Sequence, residues 1–183
     1  MLPLNLPNLL TLSRILLALV FFVFVLREVW PTAFWLFVTA VFTDLMDGTA
    51  ARLLNKKTRA GAILDGVADK ILMSLGFISL TAKGWLPLWL TLLVLSKDLM
   101  VTFGVIFFGL KKINLTYRAT ILSKTATFFQ ALALSFALIN ASFGTGDTVY
   151  GYDRLLAALL TILAAVQYFS IGLGLLKETK CAK

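Results

Sequence analysis

Histidine is absent from this chain of 183 residues, and cysteine occurs once, as Cys181. That scarcity argues against zinc, haem and iron–sulfur chemistry, and a lone cysteine forms no internal disulfide. Charge is scarce as well, at 14% of residues, with nine acids against 17 basic residues. The N-terminus lacks an early basic region and an A-x-A-like site, so it is not read as a cleaved signal peptide and is expected to stay in the mature protein. No inverted repeat of an acidic pair is visible, which weighs against a small cation carrier or channel.

What fills the chain is apolar. At 60% hydrophobic, with several runs near the ~20 residues a membrane helix needs, it reads as an all-α integral membrane protein of one domain, 1–183. Hydropathy and punctuation predict six transmembrane helices at roughly 8–28, 32–54, 60–82, 86–110, 118–141 and 153–176. Pro7 and Asn8 open LPNLLTLSR, an N-terminal interfacial amphipathic stretch, with Leu9, Leu10, Leu12 and Ile15 set against Asn8, Ser13 and Arg14. Basic residues gather at 55–59 (NKKTR), at 111–118 (KKINLTYR) and in the tail, whereas the alternate connections hold only Arg27, Lys83 and Arg154. The positive-inside rule then places both termini and the 55–59 turn in the cytoplasm. The basic excess is read as topology and attraction to anionic membrane lipid, with no nucleic-acid partner.

Against that background four aspartates are costly. Asp44 and Asp47 lie in VFTDLMDGTAARLL, Asp65 and Asp69 in AGAILDGVADKILM. Acids within a membrane segment usually face a cavity and mark a functional site. In an antiparallel helix pair turning near 56 or 57, positions summing to about 113 share a depth, so Asp44 opposes Asp69 and Asp47 opposes Asp65, roughly 13–19 Å from the turn. The i,i+3 and i,i+4 spacings put each pair on one helix face. Four such carboxylates repel unless cations are present, and an oxygen-rich set suits one or two Mg²⁺ or Mn²⁺ ions.

The neighbours make room and add positive charge. Gly48 and Ala51 lie about one turn beyond the first pair, Arg52 follows where a phosphate can be paired bidentately, and Gly61 stands one turn before Asp65. The run Asp44-x-x-Asp47-Gly48-x-x-Ala51-Arg52, then Gly61-x-x-x-Asp65-x-x-x-Asp69, resembles the complete signature of the CDP-alcohol phosphotransferases. The resemblance implies a Mg²⁺- or Mn²⁺-dependent transfer, with two ions, in which an alcohol attacks the phosphorus of CDP-diacylglycerol and CMP departs. It implies metal ligation by Asp44, Asp47 and Asp65, a role for Asp69 as ligand, general base or both, and a CDP site lined by Gly48, Ala51, Arg52 and Gly61. It further implies a multi-pass protein of the bacterial inner membrane, a cytoplasmic active site, and a homodimer.

Within that family LNLPNLLTLSRI and LDGVADK resemble both the phosphatidylglycerophosphate synthases, which use glycerol 3-phosphate, and the cardiolipin synthases, which use phosphatidylglycerol. Glycerol 3-phosphate is the acceptor read first. Gly66 stands where those relatives commonly carry Pro, and Lys97-Asp98 replaces the Arg-Glu usual in the glycerophosphate enzymes, a closer match to the cardiolipin branch. SKTATFFQ, from Ser123 to Gln130, resembles both.

A phosphate-bearing acceptor wants cations, and Lys97, Arg118 and Lys124 are the candidates. The competing reading gives them lipid-headgroup contacts, or pairs Lys97 with Asp98. Lys70 can pair with a carboxylate as readily as with substrate. Trp30, Trp35, Trp85 and Trp89 fit a membrane-interface belt.

Overall fold

The computed structural model describes the backbone of residues 6–53, 59–110, 120–144 and 150–181, and side chains over 12–43, 66–104, 120–144, 151–172 and at 174. Among the described residues there are six helices and no strand: α1 (Leu6–Leu26), α2 (Trp30–Leu53), α3 (Arg59–Ala82), α4 (Leu88–Leu110), α5 (Ile121–Phe143) and α6 (Tyr150–Cys181). Each expected span has its helix. The largest departure is α6, which continues to Cys181 rather than ending near 176. Its basic tail, with Lys177, Glu178 and Lys180, consists of good helix formers that need no apolar surroundings. By length and composition, Ile121–Phe143 and Gly151–Gly172 are long and apolar enough to cross a membrane among the described residues.

The helices fall into two compact units. Unit 1 comprises residues 1–87 and 134–147, and unit 2 comprises 88–133 and 148–183, so α5 contributes a half to each. In unit 1, α1 packs against both α2 and α3. Its buried stripe is Arg14, Ala18, Phe21 and Val25, and buried stripes also run along α2 at Ala33, Phe37 and Ala40 and along α3 at Met73, Phe77 and Leu80. The recurring steps of three and four are the period of a helix face. Phe21 and Phe37 meet with ring centroids 5.7 Å apart. Gly76 lets the helices close up: a Cβ there would stand 3.1 and 3.2 Å from the two Leu134 methyls and 3.5 Å from Phe21.

The sequence pattern sets Arg14 on the polar side of an interfacial stretch. Instead it is fully buried, while Leu12 and Leu16 of the same helix are more than half exposed. A buried guanidinium has to find hydrogen-bond partners inside the bundle, and Arg14 is engaged with one.

Two turns close one end of unit 1 with the same capping pattern. After α1, Glu28 N–H donates to Val25 O and Val29 N–H to Phe24 O, each at 3.0 Å; after α3, Gly84 N–H donates to Thr81 O at 3.0 Å and Trp85 N–H to Leu80 O at 2.9 Å. Both satisfy the last carbonyls of a helix through a residue in the left-handed region. Gly84 (φ 79°) does so at no steric cost, whereas Glu28 (φ 61°) carries a Cβ there. The Lys83 ammonium donates to Glu28 Oε1 at 2.8 Å, and Trp30 meets Trp85 edge-on at 5.7 Å. The turns are thereby tied together.

In unit 2, α4 packs against α6. The buried stripes are Leu90, Val94 and Lys97 on α4, Ala126, Gln130 and Ala133 on α5, and Ala157, Thr161 and Ala164 on α6. Each stripe carries one polar side chain.

Candidate active site

The tied end of unit 1 gives a ruler for the acids. Glu28 lies two residues before α2 and Lys83 immediately follows α3, and they are in contact; α2 and α3 therefore run antiparallel from a shared end. At about 1.5 Å per residue, Asp44 and Asp47 lie ~21 and ~26 Å along α2 from that end, and Asp69 and Asp65 lie ~20 and ~26 Å along α3. The levels pair Asp44 with Asp69 and Asp47 with Asp65.

Register points the same way. The buried positions 33, 37 and 40 of α2, continued at the same alternation of four and three, arrive at 44 and 47. On α3, stepping back from the buried positions 76 and 72 arrives at 69 and 65. The side chains of Asp44, Asp47, Gly48, Ala51, Arg52, Gly61 and Asp65 lie outside the described residues. Asp69 and Lys70 are half-buried, and neither is free of partners.

Arg14 is the residue that sequence reasoning missed. It is fully buried, it is engaged with a partner, and α1 touches both acid-bearing helices. Its level, ~18 Å from the tied end, is within about a turn of Asp44 and Asp69. A guanidinium buried in an apolar bundle is sustained only by hydrogen bonds and opposite charge. The available signal was spacing: Arg14, Ala18, Phe21 and Val25 repeat at four, three and four, so the arginine continues an apolar stripe.

The acceptor candidates belong to unit 2. Lys97 is 4% exposed; its Nζ lies 3.0 Å from Asp98 Oδ1 and donates to Gln130 Oε1 at 3.4 Å. Of the two readings of Lys97, the pairing with Asp98 is present. Lys124 is exposed near the start of α5, and Arg118 lies outside the described residues. Near the end of α6, a Cβ added at Gly172 or Gly174 would meet no atom of the described residues within 4 Å.

The chain is similar to known proteins over most of its length. The CDP-alcohol phosphatidyltransferase family profile matches residues 4–173. A cardiolipin synthase (CMP-forming) of Rattus norvegicus is 33% identical over 189 residues, covering 93% of this chain and 62% of the relative. The chain thus spans less than two thirds of that relative's length. CDP-diacylglycerol–glycerol-3-phosphate 3-phosphatidyltransferases of Aquifex aeolicus and Bacillus subtilis are 37% and 31% identical. The first alignment covers 74% of this chain and 77% of the relative, the second 96% and 98%. The aspartates, the glycines and Arg52 all fall inside the matched stretch, and the chain belongs to the CDP-alcohol phosphatidyltransferase family.

Proposed function

We propose that this protein transfers a phosphatidyl group from CDP-diacylglycerol to an alcohol, with glycerol 3-phosphate as acceptor and CMP as leaving group. The observation that carries the reading is the aspartate signature from Asp44 to Asp69 inside the family match at residues 4–173. Near full-length similarity to the Bacillus subtilis glycerol-3-phosphate enzyme supports this acceptor. Lys97-Asp98 and the rat relative favour a second reading, in which phosphatidylglycerol is the acceptor and cardiolipin the product. Residues 1–183 form one catalytic domain in this proposal.

The donor set fits a hard divalent cation: four carboxylates at two matched levels, with no histidine in the chain. Asp44, Asp47, Asp65 and Asp69 would hold Mg²⁺ or Mn²⁺, which supplies neutralisation of the diphosphate and of departing CMP. Gly48, Ala51 and Gly61 leave room for the nucleotide, and Arg52 pairs with its phosphate oxygens. Asp69 accepts the proton of the acceptor hydroxyl as that oxygen bonds to the lipid-linked phosphorus and the bond from phosphorus to the CMP oxygen breaks. Lys97, Arg118 and Lys124 supply positive charge for the acceptor's phosphate. Arg14 adds a fixed positive charge at the level of the acids, so the layer does not depend on ions alone.

Membrane insertion of all six helices, with the acids in the cytoplasmic half, belongs to the same proposal. Leu16, Trp35, Leu99, Phe103 and Phe169 are each more than half exposed, and only 22% of the apolar window of α6 is buried. A soluble protein does not leave so much large apolar surface in water.

The test is release of CMP by purified protein in lipid with Mg²⁺, CDP-diacylglycerol and each acceptor in turn, followed by thin-layer analysis of the lipid product. Phosphatidylglycerophosphate formation supports the first reading and cardiolipin the second. No release with glycerol 3-phosphate, phosphatidylglycerol, inositol phosphate or serine, together with ion flux in vesicles, overturns both in favour of transport.

A further inference from the structure

Unit 2 contains a buried polar chain that crosses three helices. Lys97 of α4 is 4% exposed, Gln130 of α5 is 1% exposed and Thr161 of α6 is fully buried. Lys97 Nζ donates to Gln130 Oε1 at 3.4 Å, Gln130 Nε2 donates to Thr161 Oγ1 at 2.7 Å, and the Thr161 hydroxyl donates to Ala157 O at 2.6 Å. Only one proton assignment satisfies this chain. An ammonium can only donate, so the amide oxygen must face Lys97; the amide nitrogen then faces Thr161, whose hydroxyl proton goes to the backbone carbonyl. Ala126 and Ala133 flank Gln130, Ala157 and Ala164 flank Thr161, and all four are buried without exposure. These small side chains keep the surroundings of the amide and hydroxyl tight.

Neutralising Lys97 does not require this chain. Asp98, its neighbour on α4, already lies 3.0 Å away and is 17% exposed. Snorkelling is not the explanation either, because Lys97 is about 14 Å from the start and ~20 Å from the end of α4. Stability is the competing role, since each neutral hydrogen bond of the chain adds a modest stabilisation; it does not distinguish the two substrates. What Gln130 and Thr161 add is direction. The 3.4 Å contact is long for a hydrogen bond, but it sets the Oε1 dipole against the ammonium, and the 2.7 Å bond to α6 fixes that dipole. Asp98 and Gln130 use two of the three ammonium donors among the described residues, which leaves one for a ligand oxygen.

We infer that Gln130 and Thr161 are positioning residues that hold the Lys97 ammonium for a phosphate oxygen of the acceptor. The inference rests on the proposed transfer to a phosphate-bearing acceptor. Its ligand chemistry is an anionic phosphate oxygen, present both in glycerol 3-phosphate and in the phosphodiester of phosphatidylglycerol. Lys97 makes the contact; Gln130 and Thr161 act through it.

The test compares wild type, Gln130→Leu, Thr161→Val, Lys97→Met and the double variant Gln130→Leu/Lys97→Met in lipid, measuring KM for the acceptor and for CDP-diacylglycerol separately. Gln130→Leu is expected to raise the acceptor KM about tenfold, the scale of one charge-assisted hydrogen bond, and Thr161→Val about threefold. The KM for CDP-diacylglycerol stays within about twofold in both. In the Lys97→Met background Gln130→Leu adds less than about twofold, since its effect travels through the missing ammonium. Additive effects, or equal changes for both substrates, mean the chain only ties the helices and overturn the inference. If Gln130→Leu does not fold, the near-isosteric Thr161→Val decides by the same split. Running glycerol 3-phosphate and phosphatidylglycerol in parallel identifies which phosphate is held. Absence of CMP release from wild type instead sinks the functional reading, and this inference with it.

Discussion

In unit 2 the buried ammonium of Lys97 finds its partners within the protein: Asp98 beside it, Gln130 from α5 and, behind that, Thr161 from α6. Unit 1 is arranged differently. Its α2 and α3 carry four aspartates at two shared levels, and the fully buried Arg14 of α1 lies at a similar level along its own helix. One guanidinium, even with Lys70 and Arg52, does not neutralise four carboxylates. The contrast teaches that a bundle can set a partner of its own beside a buried charge, as Asp98 stands beside Lys97 with one ammonium donor left over, or leave most of the balance to what it binds. In the proposed reading the aspartates are of the second kind, completed by a divalent cation and substrate.

The contrast can be broken at its strongest point first. Asp69→Asn is expected to lower CMP release by ~10²- to 10⁴-fold, the usual range for a lost general base. Binding of CDP-diacylglycerol, measured by equilibrium titration with Mg²⁺, is retained. Near-normal turnover in this variant assigns the proton to another group. Arg14→Leu comes next, because in the proposed site the arginine pairs with the acids, and breaking a buried ion pair costs about 3–5 kcal/mol. Its thermal midpoint in detergent should drop well below that of wild type, and added Mg²⁺ should recover part of the loss if the missing charge was serving the acids. A neutral Arg14→Leu shows that unit 1 does not need the arginine's charge.

Smaller effects sharpen the packing side. Gly76→Leu forces a side chain into the contact with Leu134 and Phe21, and overpacking of this kind costs about 1–3 kcal/mol. The cost is read from the same thermal assay, with Gly66→Leu, on an exposed position with no neighbour within 4 Å among the described residues, as the control that should change little. The smallest effect is at Glu28. Glu28→Gly relieves a left-handed residue, worth about 1 kcal/mol, but removes the partially exposed pair with Lys83, worth ~0–1 kcal/mol. The two nearly cancel, so the midpoint should move by no more than a degree or two. A large drop makes the Glu28–Lys83 tie more important than its exposure implies.

Much of this was legible in the residue order. Asp44, Asp47, Asp65 and Asp69 stood out because charge is rare in apolar runs, and their spacing alone gave equal depth within a hairpin. Helix ends were readable within a few residues wherever apolar runs met Pro, Gly or basic clusters. They were least readable where α6 outruns its apolar segment to Cys181, since helix formation and hydropathy are separate properties. Arg14 is ambiguous in the residue order because its apolar neighbours fit either an interfacial face or an inward stripe. Gln130 lies in a patch that stands out only by resemblance, and Thr161 gives no signal at all: a threonine among alanines and leucines fits anywhere on a helix.

By itself the sequence determined the helical class, the order of the helices and the aspartate signature, because hydrophobic period, turn residues and motif spacing are properties of neighbours along the chain. Tertiary structure decided which way Arg14 faces, that Gly76 is a contact point, and that Lys97, Gln130 and Thr161 form one chain. Those depend on distances between residues 31 and 33 positions apart or more. Packing sets such distances, and no local pattern encodes them.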